Sequence, residues 1–332
     1  MSDNTPLLTI AIPTFSRVHF LEGLLAAILD QLRDENRIEL LVSDNASPDG
    51  TGATVAAYQK RGLAIRYIRN EVNIGPDRNI LQCYLLASGN YVWVFSDDDL
   101  ILPGTIERVL NVLSAGIYDI VNLTACPYDE HGRHLQGRTR QLGDLDFSSA
   151  KDFARTVHVF FTFISGVILH KKRISSLPHR SFESILDTNL TQLGPVYSAL
   201  NCHRRSLLIR DPLIAARSNE NVGYALYRVF GTTFEKITSE WIDDKSVRQA
   251  IFNGTIRKFL PFWIIPSREL RASSVPEDPH QVLRICYGSN MRYWIFIYPI
   301  YFLPLPFARI WLLGVRIINK LDSILGGLLS KS

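Results

Sequence analysis

Five times within the first 125 residues a short apolar, β-branched or aromatic run ends in a polar turn, and four of those turns lead into a stretch with helical apolar spacing. The runs are Leu7–Ile12, Ile38–Val42, Ile65–Ile68, Tyr91–Phe95 and Tyr118–Leu123. The helical faces are Phe20, Leu21, Leu24 and Ile28; Val55, Ala56 and Tyr58; Ile80, Leu81, Tyr84 and Leu85; and Ile106, Val109, Leu110 and Leu113. Strand and helix alternating at this spacing require a parallel sheet with right-handed crossovers, flanked by helices. The expectation is a Rossmann-like, mostly parallel α/β sheet. Ligands of such sheets bind at the carboxyl ends of the strands. Pro13–Arg17, Asp44–Thr51 and Ser96–Asp99 each follow a strand directly, so the three segments should converge on one crevice.

The fourth run stops at Ser96-Asp97-Asp98-Asp99. Adjacent carboxylates held together repel, and the arrangement costs free energy unless a cation or hydrogen-bond donors offset the charge. Oxygen-only donors suit a hard divalent ion, Mg²⁺ or Mn²⁺, which is typically bound by one or two carboxylates together with phosphate oxygens. A phosphorylated ligand follows from that preference; a solvated acidic turn is the plain alternative. The turn after the first run has no Gly, so neither a dinucleotide G-x-G-x-x-G fingerprint nor a Walker-type loop is present, and side chains must do the binding. Asp44 could accept hydrogen bonds from a base or ribose, or cap a helix; Asp49 reads as a cap.

The chain has 332 residues, 46% hydrophobic and 20% charged, which is globular and sufficient for one large core or two smaller ones. Cys83, Cys126, Cys202 and Cys286 have no paired spacing, so neither a zinc site nor a disulfide framework is expected. The N-terminus lacks the basic region of a secretion signal. The net charge of +4 is uneven: residues 284–332 carry six Lys/Arg against Asp322 alone, a local +5 that leaves about −1 elsewhere. Positive charge beside the most apolar stretch argues for a membrane surface and against nucleic acid, whose binders spread a basic stripe over the folded domain.

Four segments in order, Ala11-Ile12-Pro13-Thr14-Phe15-Ser16-Arg17, Val42–Thr51, Asn70–Asn79 and Ser96-Asp97-Asp98-Asp99 with Pro103, resemble a family 2 glycosyltransferase of the GT-A fold over roughly residues 7–200. The Asn73-Ile74-Gly75-Pro76-Asp77-Arg78-Asn79 segment looks most like the abequosyltransferase-type enzymes that attach a dideoxyhexose branch to bacterial O-antigen. The resemblance implies that Pro13, Thr14 and Arg17 line a nucleotide pocket, Asp44 contacts the base, and Arg78 lies near the ribose or diphosphate. It also implies a divalent metal, Mn²⁺ or Mg²⁺. Aligned on Pro103, Ser96 stands where the D-x-D motif begins, which gives Asp97 to the ribose and Asp98 to the metal. A second register pairs Asp97 with Asp99, so which two of Asp97, Asp98 and Asp99 touch the ion stays open, with Asp98 and Asp99 as the metal candidates and Asp97 serving ribose or metal.

Sugar transfer further needs a base for the acceptor hydroxyl. Family members supply it from a Glu-Asp pair before a helix. Leu186-Asp187-Thr188 stands at a comparable place, which makes Asp187 the candidate and Glu183 the reserve; Asp187 could equally cap the helix carrying Leu190, Leu193, Val196 and Tyr197. Pro127–Phe147, with His131, Arg133, His134, Arg138 and Arg140, reads as a mobile loop near the acceptor. Thr162–Leu169 reads as a strand whose Ser165-Gly166 permits close approach, followed by a charged turn at His170–Arg173. Ser267–Pro279 reads as a linker.

Tyr293–Ala308 has no charge over 16 residues but contains three prolines, and it falls short of the roughly 20 residues of a spanning helix. Beyond it, Arg309, Arg316, Asn319, Lys320 and Ser323 share one helical face while apolar residues occupy the rest, the pattern of an interfacial amphipathic helix. The chain therefore divides into a catalytic domain over 1–220 and a helical region over 221–332, with the membrane-surface segment at about 291–325.

The function these readings imply is inverting transfer of a sugar, of which a deoxy- or dideoxyhexose is one kind, from a nucleotide-sugar donor. The acceptor is a polyprenyl-diphosphate-linked glycan at the cytoplasmic face of a bacterial inner membrane, in surface polysaccharide synthesis. Two alternatives stand: a membrane-peripheral scaffold without turnover, and a Mg²⁺-dependent phosphatase. The phosphatase would want an Asp nucleophile on the first strand, where this chain has Pro13-Thr14.

Overall fold

The computed structural model describes residues 5–32, 35–128, 143–175, 181–217, 225–270 and 277–329. They form two compact units, one of residues 1–150 with 160–219 and the other of 151–159 with 220–332. The expected boundary at 220 lies outside the described residues.

The first unit holds the α/β sheet. Its elements run β1 (Leu8–Thr14), α1 (Val18–Leu29), β2 (Ile38–Asp44), α2 (Thr51–Lys60), β3 (Ile65–Arg69), α3 (Pro76–Leu86), β4 (Tyr91–Val94), β5 (Leu100–Ile101), α4 (Thr105–Ala115), β6 (Ile120–Tyr128) and β7 (Leu145–Phe147). After α5 (Ala150–Val157), which from residue 151 on belongs to the second unit, the first unit resumes with β8 (Val167–His170), α6 (Lys171–Ser175), α7 (Leu193–Asn201) and β9 (Ser206–Arg217). The main order is β3-β2-β1-β4-β8-β6-β9-β5, with β7 on β9. β4 is wholly buried and β1 nearly so, as strands covered on both faces must be. The apolar faces of α1 and α4 close over them into one core that includes Leu24, Ile28, Trp93, Val109 and Leu113.

The alternation sets the β3-β2-β1-β4 half, which is entirely parallel. Beyond it the sheet is mixed. β8 lies antiparallel between β4 and β6, while β9 runs parallel to β6 and antiparallel to β5 and β7. The strand expected over Thr162–Leu169 begins only at Val167, because residues 164–166 form a turn of 3₁₀ helix, and the expected turn at His170–Arg173 opens a helix instead. Gly166 is required in that turn: a Cβ there would lie 2.5 Å from the Phe163 ring. Pro127 and Tyr128 of the expected loop belong to β6, whereas His131, Arg133, His134, Arg138 and Arg140 lie outside the described residues. β9 escapes a reading by periodicity because Arg210-Asp211-Pro212 interrupts it, at the point where its register against β6 shifts.

The second unit continues with α8 (Phe234–Trp241), α9 (Lys245–Lys258), α10 (Leu260–Leu270), α11 (Pro279–Tyr287), α12 (Tyr298–Phe302) and α13 (Leu305–Leu329). Asp244 and Asp278 cap α9 and α11 by accepting from backbone N–H groups of the first turn. Ser267–Leu270 of the expected linker continue α10, and 271–276 lie outside the described residues. The charge-free stretch is split into a π-helical turn over Tyr293–Ile297, α12 and the start of α13. No described helix is long and apolar enough to cross a membrane.

α13 is amphipathic as expected, but much of its polar face is tied inward. Arg257 donates to Asn319 Oδ1 at 2.8 Å and pairs with Asp322, and the Arg316 guanidinium lies 5.6 Å from the Phe262 ring centre. Ala308, Leu312 and Val315 are buried, whereas Ile310 (66%), Leu313 (56%), Ile317 (53%) and Leu321 (54%) are exposed. Trp311 joins this outward face to the preceding segment by donating from Nε1 to the Ile295 carbonyl.

Candidate active site

β2, β1 and β4 are adjacent and parallel, with Thr14 level with Asp44 and Ala11 level with Val94. Their carboxyl ends therefore deliver the first, second and fourth polar turns to one edge. The Thr14 hydroxyl donates to Asp97 Oδ2 at 2.7 Å, and one Arg17 nitrogen, Nη1, donates to Asp97 Oδ1 (3.1 Å) and to Asp98 Oδ2 (3.2 Å). Ser96 donates to Asp98 Oδ1 at 2.6 Å. The turns that make this possible are strained. Among the described non-glycine residues, Ser16 (φ 53°) and Ala46 (φ 66°) adopt left-handed backbone just after β1 and β2, a conformation costing about 1–2 kcal/mol each.

Asp97 is buried. Desolvation pushes its pKa up to about 6, reinforced by the Asp98 charge and opposed by Thr14 and Arg17. Asp99 is pushed to about 7, by burial first and then by the charges of Asp98 and Asp97. Its two oxygens accept from Ser165 Oγ (2.6 Å) and from the Arg217 backbone N–H (3.0 Å). Ser165 Oγ also accepts from the Ser96 N–H, and the Ser165 carbonyl accepts from Trp93 Nε1. Asp99 thus anchors the motif to the β8 side and to the end of β9, while Asp97 and Asp98 form the pair bridged by Arg17.

A cleft of about 310 Å³ opens beside this pair, walled by Pro13, Thr14, Arg17, Asn45, Asn73 and Asp97 among others. Asn45 organises that wall. Its Oδ1 accepts from Asn70 Nδ2 and the Ile74 N–H, and its Nδ2 donates to Asn73 Oδ1 and the Gly75 carbonyl. Ser43, Asn79 and Gln82 extend the network from β2 into α3. Asp44 is fully buried between the Ser47 N–H (2.9 Å), the Tyr67 hydroxyl (2.5 Å) and Arg69 Nε (3.6 Å). Burial, followed by that bond to Asp44, raises the Tyr67 pKa. Asp49 takes N–H groups from both Val18 and Thr51, stitching α1 to α2; burial pushes its pKa up, but the bonds from Thr51 and Val18 win and hold it low.

Arg78 and Asp187 are brought together: Arg78 Nη1 lies 3.1 Å from Asp187 Oδ1, with both side chains well exposed. The helix following Asp187 has Gln192 at its N-cap, so Asp187 does not cap it. Glu183 is exposed on a 3₁₀ turn over Phe182–Ile185. Asp77, which sequence reasoning passed over, is buried and accepts from the N–H groups of Thr188 (2.8 Å) and Asn189 (3.1 Å). The sequence offers no signal for this contact, because its partners stand more than a hundred positions away.

The donor chemistry fits Mg²⁺ or Mn²⁺. Asp97 and Asp98 carry two charges against one guanidinium, and Asp97, its pKa raised first by burial and then by the Asp98 charge, would gain from a further cation. Among the described residues no three or more His, Cys, Asp or Glu are grouped to hold a metal by themselves. One or two carboxylates would therefore share the ion with phosphate oxygens and water.

The mixed α/β sheet carries a polar cleft and an acidic pair at its parallel strand ends, where ligands of such sheets bind, an architecture of the GT-A type. Residues 9–173 match glycosyl transferase family 2, and the chain carries a domain of that family. It is 43% identical over 110 residues to the abequosyltransferase RfbV of Salmonella typhimurium, covering 33% of each chain. To the GalNAc(5)-diNAcBac-PP-undecaprenol beta-1,3-glucosyltransferase of Campylobacter jejuni it is 29% identical over 176 residues, 51% of this chain and 55% of that one. The chain thus spans between a third and about half the length of these relatives. The mannosyltransferase PcManGT from Pyrobaculum calidifontis, solved with GDP-Man and Mn²⁺, shares the fold with a TM-score of 0.54 at 15% identity, over 96% of this chain and 88% of that one.

Proposed function

We propose that the protein transfers a sugar, of which a deoxy- or dideoxyhexose is one kind, from a nucleotide-sugar donor to a hydroxyl of a lipid-linked glycan, with inversion, in bacterial surface polysaccharide synthesis. The observation that carries this reading is the Thr14–Asp97–Arg17–Asp98 constellation at the mouth of the strand-end cleft. Pro13, Thr14 and Arg17 bind the nucleotide, Asp44 with Tyr67 and Arg69 serves the base end, and Asp97 faces the ribose. Asp98, with Asp97, would hold the divalent ion, whose chemistry is to offset charge on the departing diphosphate. Asp99, with both oxygens engaged, supports the motif. Arg78 lies at the diphosphate side and holds Asp187. In the transfer, the acceptor oxygen bonds to the anomeric carbon as the bond to the diphosphate oxygen breaks, and the hydroxyl proton passes to Asp187. The nucleoside diphosphate leaves with the bonding pair.

The similarity to an enzyme whose name includes a PP-undecaprenol glycan supports a polyprenyl-diphosphate acceptor. The outward apolar row of α13, with Trp294 and Trp311 beside it and Arg309 exposed, supports a peripheral or monotopic seat on the anionic cytoplasmic leaflet of the inner membrane. A thermal-shift screen of nucleoside diphosphates and nucleotide sugars, with and without Mn²⁺, tests the reading. One base class should raise Tm in a metal-dependent manner. A flat response to all of them would favour a scaffold without turnover.

A further inference from the structure

The first turn of α3 does two things to one loop. Asp77 takes the N–H groups of Thr188 and Asn189 on a single oxygen, Oδ2, and the next residue, Arg78, pairs with Asp187. The loop so held is costly to form. Asp187 (φ 62°) and Asn189 (φ 61°) are both left-handed, and neither is glycine. Each such residue costs about 1–2 kcal/mol, and two in three positions persist only where the surroundings over-determine them. Asp77 supplies that constraint from a buried position, where a carboxylate is tolerated because backbone N–H groups meet its charge. The turn that carries Asp77 is also a wall of the cleft, through Pro76, Asn79 and Ile80.

We infer that Asp77 is a positioning residue: it fixes the backbone on either side of the candidate base so that the exposed Asp187 carboxylate is presented beside the donor cleft in one orientation. The inference rests on the reading of Asp187 as the base. It separates two tasks within one helical turn. Arg78 meets the carboxylate, while Asp77 meets the backbone behind it. Asn at position 77 keeps an acceptor oxygen and should serve; Ala does not.

The test uses the full chain with Asp77→Ala, Asp77→Asn, Asp187→Asn and the double variant Asp77→Ala/Asp187→Asn. Hydrogen–deuterium exchange over residues 186–190 needs no substrate. It should accelerate tenfold or more, an order-of-magnitude expectation for losing both acceptor bonds, in Asp77→Ala and little in Asp77→Asn. Release of nucleoside diphosphate is then followed with Mn²⁺ and a panel of UDP-, GDP-, CDP- and dTDP-linked hexoses. Asp77→Ala should lower kcat about ten- to a hundredfold with donor KM within about twofold, Asp77→Asn should restore it, and the double variant should be no slower than Asp187→Asn. Unchanged exchange in Asp77→Ala overturns the inference, and so does a kcat loss that multiplies fully with that of Asp187→Asn. If Asp187→Asn abolishes turnover while Asp77→Ala changes neither readout, the base reading stands and the inference alone fails. If Asp187→Asn leaves turnover intact, the base reading fails and takes the inference with it, even where exchange accelerates.

Discussion

The two units put polar and apolar side chains to opposite use. In the first, buried Asp97, Asp99, Asn45 and Asn79 gather at the strand ends, and their hydrogen bonds shape a cleft. In the second, Asn319, Asp322 and Arg316 of α13 are engaged with neighbouring helices, and Ile310, Leu313, Ile317 and Leu321 are left facing out. Polar groups turned toward a cavity suit a small, charged, water-borne ligand. An apolar row turned outward suits an apolar phase. The contrast underlies the two halves of the proposed function, a cleft for the donor and a seat on a membrane surface, and each half of it can be broken separately.

The largest effect is expected at the acidic pair. Asp98→Ala should lower turnover by about 10²–10³-fold or more, the usual loss when transition-state charge stabilisation is removed, and should abolish the Mn²⁺-dependent part of nucleotide binding read by calorimetry. Vesicle binding should be unaffected. A variant that retains metal-dependent binding would sink the assignment of Asp98. The complementary break is Ile310→Ser with Ile317→Ser. Sedimentation with phosphatidylglycerol-containing vesicles should show partition reduced by about a hundredfold, from roughly 1.5 kcal/mol for each of the two side chains withdrawn from the bilayer. Nucleotide-induced Tm shifts should stay the same, and equal sedimentation of variant and wild type would remove the membrane seat.

Within the first unit, Ser165→Ala leaves the buried Asp99 oxygen without its hydroxyl and the Ser96 N–H without its acceptor. The expected destabilisation is about 1–3 kcal/mol in urea unfolding; an unchanged midpoint would mean that the acidic motif does not depend on its anchor.

The last effect concerns pH and belongs to the second unit. His158 is buried against Gly254, where a Cβ would come within 2.6 Å of its own Cβ. Burial, then Lys258 and Arg257, hold its pKa down to about 3. Between pH 3 and about 6.5 the unfolded chain binds a proton at this position and the folded one does not, so stability rises with pH across that window and levels off above it, by at most about 1.4 kcal/mol per pH unit. Its backbone is left-handed (φ 43°), which Asn tolerates. His158→Asn should therefore flatten the acid limb of stability, and an identical limb in the variant would show that other groups set it.

The β3-β2-β1-β4 half and its three converging turns were legible because each depends on local periodicity and on residues that end strands. The rest depends on partners remote in sequence. β8 and β9 are short or interrupted, and their pairing with β4 and β6 is invisible to alternation. A helical wheel shows that α13 is amphipathic but not which face turns inward, since Arg257, 62 positions before Asn319, decides it. Asp77 looks like an ordinary first-turn acid of α3, and its bonds to Thr188 and Asn189 span 111 and 112 positions.

The amide network around Asn45 has a consequence for how the cleft responds to its solution. Its links among Ser43, Asn45, Asn70, Asn73, Asn79 and Gln82 are all between uncharged groups. Such bonds neither titrate near neutrality nor weaken through ionic screening. Raising the salt should thus loosen the grip of the Arg17 and Asp97–Asp98 charges on a ligand while leaving the outline of the wall unchanged, so that affinity falls but the shape of the cleft does not change.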